Sequence, residues 1–266
     1  MPEPPPISGT TRLYAVLGDP IAQVQAPTLV NELFQAAGRD AALVPMHVTP
    51  EGLAEALAGL ARLANLDGLL VTVPHKAAVA RLASAVSPTV AITGTANALR
   101  RQPGGGWYAA NFDGDGFIRG LRAQGHEPAG RTIALIGAGG AGSAIAAALL
   151  DAGADRLTLT DTNPARARDL ASRLADSRPG RVHTTVTPAL ADADVAVNAT
   201  PLGMAPGDPL PFAPHELPPG ALVADIVMHP ADTPLLRAAA ALGHRVHQGH
   251  HMLRHQLDAY RDFFGW

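Results

Sequence analysis

Lysine and arginine together number 20 in this chain, and Lys76 is the only lysine. A composition that writes arginine at every other cationic position yet keeps one lysine points to a site that needs a compact ammonium. Such a group can surrender a proton, which a guanidinium cannot. A second constellation lies further on, in the run Gly137-Ala138-Gly139-Gly140-Ala141-Gly142, directly after the apolar stretch Ile133–Ile136. Gly137 permits a tight turn, Gly139 lets the backbone approach a pyrophosphate, and Gly142 lets the following helix pack closely on the strand. Gly140 and Ala141 open that helix, whose free N–H groups and positive dipole end suit phosphates. Asp161 follows at the end of the next strand, 24 residues after Gly137, where a carboxylate accepts hydrogen bonds from both ribose hydroxyls. It would repel a 2′-phosphate, and Thr162 and Asn163 follow it without an arginine to clamp one. The pattern predicts a nicotinamide dinucleotide site that takes NAD in preference to NADP. Arg166, a few residues on, keeps NADP open, and a flavin is the rival occupant of such a turn.

These residues need a scaffold. Apolar runs alternate with Ala-rich amphipathic stretches along the chain, the pattern of an α/β protein built on parallel sheets. Strands are expected at 13–17, 43–48, 68–73, 96–100 and 107–110, with helices around 28–37 and 51–63, the second capped by Thr49 and Pro50. After a boundary region at 113–130, further strands are expected at 133–137, 157–160, 182–185, 195–198, 222–225 and 245–246, and a last helix at 250–264. The division is an N-terminal α/β substrate domain over 11–113, completed by a C-terminal helix over 249–266, and a Rossmann-type dinucleotide-binding domain with a parallel sheet over 114–248.

Composition narrows the function further. A net charge of −3 with no block of like charge gives no basic face for nucleic acid. No uninterrupted apolar run approaches a membrane span. The absence of cysteine removes disulfides and thiolate chemistry and fits a reducing, cytoplasmic setting. The first ten residues lack signal-peptide features and read as a short disordered leader. The expected partner is a small molecule, and the expected assembly a monomer or homodimer.

Several segments together resemble one family. YAVLGDPIAQVQAP at Tyr14–Pro27, GLLVTVPHK at Gly68–Lys76, GTANAL at Gly94–Leu99 and NFDG at Asn111–Gly114 are similar to the substrate domain of shikimate and quinate dehydrogenases. VNATPLGM at Val197–Met204, DIVMHPADTPLL at Asp225–Leu236 and MLRHQ at Met252–Gln256 are similar to that family's cofactor domain and closing helix. The resemblance implies a nicotinamide-linked enzyme with its active site in a cleft between two domains. Lys76 and Asp113 match the family's catalytic pair at the reacting hydroxyl. There the lysine would accept and return the hydroxyl proton as hydride passes to the nicotinamide, and the aspartate would orient it. Thr72, Asn97 and Gln256 match positions that bind substrate hydroxyls, and Thr200, Met204 and Met252 positions about the cofactor.

The chain also departs from the family. Two serines that hold the substrate carboxylate are here Val24 and Ala26. Leu70 replaces an asparagine, Ala98 a threonine and Met228 a tyrosine. An unpaired buried carboxylate is costly, so these changes put shikimate in question unless Gln23 and Gln25 take over. The leading expectation is NAD-dependent hydride transfer to or from a secondary alcohol or ketone of a small cyclic hydroxy acid or related compound. The alternatives are a standard NADP-dependent shikimate dehydrogenase and a non-catalytic NAD sensor. His251 and His255 stand four apart on a helix, a spacing that metal ligands share, but with no carboxylate or cysteine nearby no metal is expected. His251 is instead expected to line the pocket.

Overall fold

The computed structural model describes residues 7–266, so residues 1–6 of the expected leader lie outside the described residues. The rest of that leader is not loose. Thr10 and Thr11 donate their hydroxyls to the two carboxylate oxygens of Asp40, at 2.6 Å each, and hold Asp40 below the usual carboxylate range. The chain forms two compact units, residues 7–112 with 257–266, and residues 113–256.

Unit 1 contains β1 (Arg12–Gly18), α1 (Ala26–Ala36), β2 (Ala41–His47), α2 (Leu53–Leu60), β3 (Leu66–Val71), α3 (Lys76–Leu82), β4 (Ala85–Val86), α4 (Pro88–Thr93), β5 (Ala98–Arg101) and β6 (Trp107–Ala110). Its sheet runs β2-β1-β3-β5-β6-β4. It is mixed and not parallel throughout, because β5 runs antiparallel to both β3 and β6. Gln102 to Gly106 is too short a connection for a parallel crossover and closes a hairpin instead. Successive side chains of β3 point to opposite faces: Leu69 and Val71 join one apolar cluster with Leu99, and Leu70 joins another with Ala98. The second helix differs from expectation. It starts at Leu53 with Gly52 as N-cap and no side-chain cap, so Thr49 and Pro50 sit in the preceding turn. Helices α3 and α4, of 7 and 6 residues, were not expected from periodicity.

Unit 2 contains α5 (Asp113–Ala123), β7 (Thr132–Ile136), α6 (Gly140–Asp151), β8 (Arg156–Thr160), α7 (Pro164–Ala175), β9 (Val182–Thr184), β10 (Val195–Asn198), β11 (Leu222–Asp225), α8 (Pro234–Ala241), β12 (Arg245–His247) and the first half of α9 (His250–Phe264). The α9 residues from Leu257 on group with unit 1, so this helix, expected as part of the first domain, is shared. The expected boundary segment is largely a helix, α5. All strand pairs of unit 2 are parallel, in the order β12-β11-β10-β7-β8-β9. The direction of winding reverses between β7 and β10, and in open α/β sheets ligands bind beyond the carboxyl ends of the strands at such a reversal. No helix among the described residues is long and apolar enough to cross a membrane.

Candidate active site

The glycine-rich turn begins where β7 ends. Gly137 has φ of +102°, and a Cβ there would lie 2.7 Å from the carbonyl oxygen of Ala199, just after β10. The turn is therefore pressed against the neighbouring loop at the reversal point. A Cβ on Gly142 would sit 1.9 Å from the Gly137 carbonyl oxygen, so only glycine lets α6 start this close to the strand. Gly139, the N-cap of α6, adopts an extended conformation, and a Cβ there would meet no atom within 4 Å. It faces open space at the mouth of the turn, as a cradle for a pyrophosphate requires. Gly140 and Ala141 form the first turn of the helix.

Asp161 lies at the carboxyl end of β8, 8% exposed. One oxygen accepts the Ala138 backbone N–H at 2.8 Å and the other the Asn163 N–H at 2.8 Å. The carboxylate therefore also ties the glycine-rich turn to the start of α7. Arg166 reaches it at 3.5 Å from an otherwise exposed side chain. The loop after β10 is organised by Asn198, whose amide oxygen accepts both the N–H and the hydroxyl of Thr200, at 3.0 and 2.7 Å. Met204, further along, is exposed. Asn198 also donates to Asp225 at 3.0 Å, and Asp225 accepts from Thr233 Oγ1 at 2.7 Å and from the Val227 N–H at 3.0 Å. Burial pushes the Asp225 carboxyl above its ordinary value, against the lowering effect of these three donors. This buried carboxylate clamps the loops after β10 and β11, a role no local pattern announced.

Asp113 opens α5 and is buried. Gln256 Nε2 donates to its Oδ1 at 2.9 Å, so the structure brings these two expected site residues together within unit 2. Met252, expected near the cofactor, is 6% exposed in α9, and its carbonyl oxygen faces Gly116 of α5. Met228 is half-buried after β11. His251 stacks on His247 with ring centroids 5.0 Å apart and lies 4.1 Å from the ring of His250. It belongs to a histidine cluster that includes the buried His247. Among the described residues, no group of three or more His, Asp or Glu side chains is arranged to hold a metal ion.

In unit 1, Thr72 follows β3, and its N–H donates to the Leu17 carbonyl at 2.9 Å. Lys76 is the first residue of α3 and is 9% exposed. Its carbonyl accepts the Ala96 N–H at 2.9 Å, which fixes the start of α3 against the segment carrying Asn97. Asn97 is buried with both ends of its amide engaged: Nδ2 donates to the Tyr260 hydroxyl at 3.0 Å, and Oδ1 accepts the Phe112 N–H at 2.9 Å. Val24, Ala26, Leu70 and Ala98 lie in one apolar cluster. Gln23 folds back onto the carbonyl of Pro20 at 2.8 Å, and Gln25 is exposed at the head of α1. Tyr260 is the residue sequence reasoning missed here.

Residues 16–99 match the family model described as the shikimate dehydrogenase substrate binding domain. Residues 132–227 match one described as NADP oxidoreductase coenzyme F420-dependent. A shikimate dehydrogenase (NADP(+)) from Rubrobacter xylanophilus is 39% identical over 98% of this chain and 93% of its own length. Among solved structures, a quinate dehydrogenase from Corynebacterium glutamicum in complex with NAD superposes with a TM-score of 0.85 at 29% identity, covering 96% of this chain and 94% of that one. A 5-ketofructose reductase of a Gluconobacter strain does so with a TM-score of 0.81 at 27% identity, covering 94% and 91%.

Proposed function

The chain belongs to the shikimate dehydrogenase family and is a nicotinamide-linked oxidoreductase of that type, and from this premise we propose that it works with NAD on a secondary alcohol or ketone of a small cyclic hydroxy acid or related compound. Asp161 carries the cofactor choice. A buried carboxylate at the end of β8, anchored by two backbone N–H groups, suits the two hydroxyls of an unmodified ribose and opposes a 2′-phosphate. The nearest cation, Arg166, is drawn onto that same carboxylate. NAD bound at this turn supplies the hydride acceptor, or the donor in the reverse direction. Gly137, Gly139 and Gly142 let the backbone approach it, Gly140 and Ala141 offer amides at the helix start, and Thr200, Met204 and Met252 belong to the cofactor side.

In this reading Lys76 takes the hydroxyl proton on oxidation and returns it on reduction, and Asp113, held by Gln256, orients the reacting group. Thr72, Asn97 and Gln256 hold substrate hydroxyls. A cysteine-free chain suits a reducing compartment, and we place the enzyme in the cytoplasm.

A second reading rests on the names of the relatives. Sequences 39% and 40% identical to this chain are named shikimate dehydrogenase (NADP(+)), and those names favour NADP and shikimate over NAD and a different substrate. The quinate dehydrogenase of the same fold was solved with NAD, and the ketofructose reductase shows by its name that substrates vary on this fold.

Initial rates with NAD and NADP against shikimate, quinate and a panel of cyclic hydroxy compounds separate the two. The first reading expects higher kcat/KM with NAD, and values for shikimate below about 10⁴ M⁻¹s⁻¹, the lower edge for an efficient enzyme. Faster NADP-linked oxidation of shikimate would replace it with the second.

A further inference from the structure

The parallel sheet of unit 2 carries a polar cavity at the end away from the glycine-rich turn. Arg131 precedes β7, Asp194 precedes β10, Gly220 precedes β11, and Arg245 opens β12. Around these amino ends, with His126 and Glu127 from the segment after α5, lies a cavity of about 210 Å³. The 5 residues of β7 place roughly 16 Å of strand, at about 3.3 Å per residue, between it and the turn. The charges around the cavity are unequally matched. Arg122 holds Glu127 through Nε and Nη2, each at 3.0 Å. Asp194 accepts the Thr132 N–H at 2.9 Å and lies 3.7 Å from Arg131. Arg245 forms no ion pair among the described residues, and its Nε donates to the Gly220 carbonyl at 3.3 Å. Half-buried His126 feels that charge: burial first, and then Arg245, lowers its pKa. A guanidinium that drives the proton off its neighbour is one that no carboxylate has neutralised.

We propose that this cavity binds a small organic carboxylate, held by the Arg245 guanidinium with His126 and Arg131 beside it, at a site separate from the dinucleotide turn. Nothing in this depends on which dinucleotide or alcohol the enzyme uses. The planar fork of an arginine matches the two oxygens of a carboxylate, and a protonated His126 adds a further donor. Pro218, Pro219 and Leu222 line the same cavity and offer carbon surface to the body of the ligand. Its size falls below the 300 Å³ or so at which pockets for drug-sized ligands begin, so the ligand is compact. Charge selects a monoanion. Glu127 and Asp194 stand at the same cavity, and although each has a cationic partner they oppose the second charge of a phosphate dianion. A neutral molecule of the same shape leaves Arg245 as it was.

Benzoate, benzyl alcohol and inorganic phosphate are suitable probes: a ring carboxylate, its neutral counterpart and an oxyanion of higher charge. The histidine ring signals of the full-length protein in NMR report the site directly, with His126 assigned by its loss in His126→Gln. At pH 7 benzoate should shift the His126 signal saturably, with a Kd on the order of 1 mM or below. It should also raise the pH midpoint of that signal, because an anion beside His126 favours its charged form. Benzyl alcohol should leave the signal in place, and phosphate should bind several-fold more weakly than benzoate. Arg245 is exposed on the edge strand β12, so Arg245→Gln should keep the thermal midpoint while weakening benzoate about tenfold or more, the scale of a lost hydrogen bond to a charged group. Arg245→Lys, which keeps the charge without the fork, should fall between the two. No saturable shift of His126 with benzoate, an equal shift with benzyl alcohol, tighter binding of phosphate, or benzoate affinity unchanged in Arg245→Gln would each overturn the proposal.

Discussion

Lys76 is where the reaction can be tested on one side chain. It heads α3, buried, with its carbonyl tied to the segment that carries Asn97. If the ammonium moves a proton, losing it should reduce kcat by about 10²-fold or more, the scale of general acid-base catalysis. Lys76→Met should show that loss. Lys76→Arg should show it too, because arginine keeps the charge but cannot act as a base. Stopped-flow or steady-state rates at saturating NAD would measure both, and an arginine variant with near-normal kcat would reduce Lys76 to a fixed charge. At this scale the sequence was informative where chemistry forces a residue type. A lone lysine among arginines and an aspartate at a set distance from a glycine turn are both visible without coordinates. Tyr260 was not visible, because its partner Asn97 lies 163 positions away and no local pattern links them. Asp225 was read only as part of a motif. That it clamps two loops depends on Asn198 and Thr233 converging on it.

The pairing of Asp113 with Gln256 depends on how closely α5 and α9 approach. Gly116 is one turn into α5, and a Cβ there would come within 2.5 Å of both the Met252 carbonyl oxygen and Gln256 Cγ. The backbone oxygen cannot swing aside as a side chain end can, so Gly116→Ala must push the helices apart. Alanine gains about 1 kcal/mol of helix propensity over glycine, and overpacking costs about 1–3 kcal/mol, so the clash should win. The expected result is a thermal midpoint lower by about 2–6 °C for a chain of this size, with a further loss of kcat as Gln256 leaves Asp113. Gly104→Ala, where a Cβ meets nothing within 4 Å, is the control and should leave the midpoint unchanged by circular dichroism. The same glycines explain why α5 was read as a boundary. Gly114, Gly116 and Gly120 look like helix breakers in a sequence, and only the partner helices show that packing demands small residues there. Helices α3 and α4 escaped notice because two turns carry too little periodicity. The parallel pairing of unit 2 was legible where β7, β8 and β9 alternate with the 12-residue helices α6 and α7, whereas β9, β10 and β11 follow one another with no α-helix between them. The antiparallel β5 and β6 of unit 1 were placed as strands but not in direction.

Stability is a property of the whole chain, and its acid limb should be set in unit 2 by a buried histidine. His247 is 2% exposed, neither ring nitrogen has a hydrogen-bond partner, and its ring is enclosed by Phe117, His126 and His251. Burial, reinforced by His251, His126, His250 and His255, lowers its pKa from 6.5 to about 3, and burial lowers His126 and His251 as well. Between pH 6.5 and 3 the unfolded chain binds a proton that folded His247 refuses. Its contribution is therefore complete above pH 6.5 and is lost as the pH falls, at about 1.4 kcal/mol per unit, or about 2 kcal/mol by pH 5. Asp225 acts in the opposite sense. Its raised pKa means that the folded state keeps a proton longer than the unfolded one, so its stabilising contribution fades as the pH rises through its folded value. Net charge and composition said nothing of either group, because both effects come from burial that the fold alone creates. His247→Phe keeps an aromatic ring against Phe117 and removes two unpartnered nitrogens. The variant should be at least as stable as the wild type at pH 7 in urea, and its advantage should widen by about 2 kcal/mol at pH 5. Equal losses in the two proteins between those pH values would assign the acid limb to other groups.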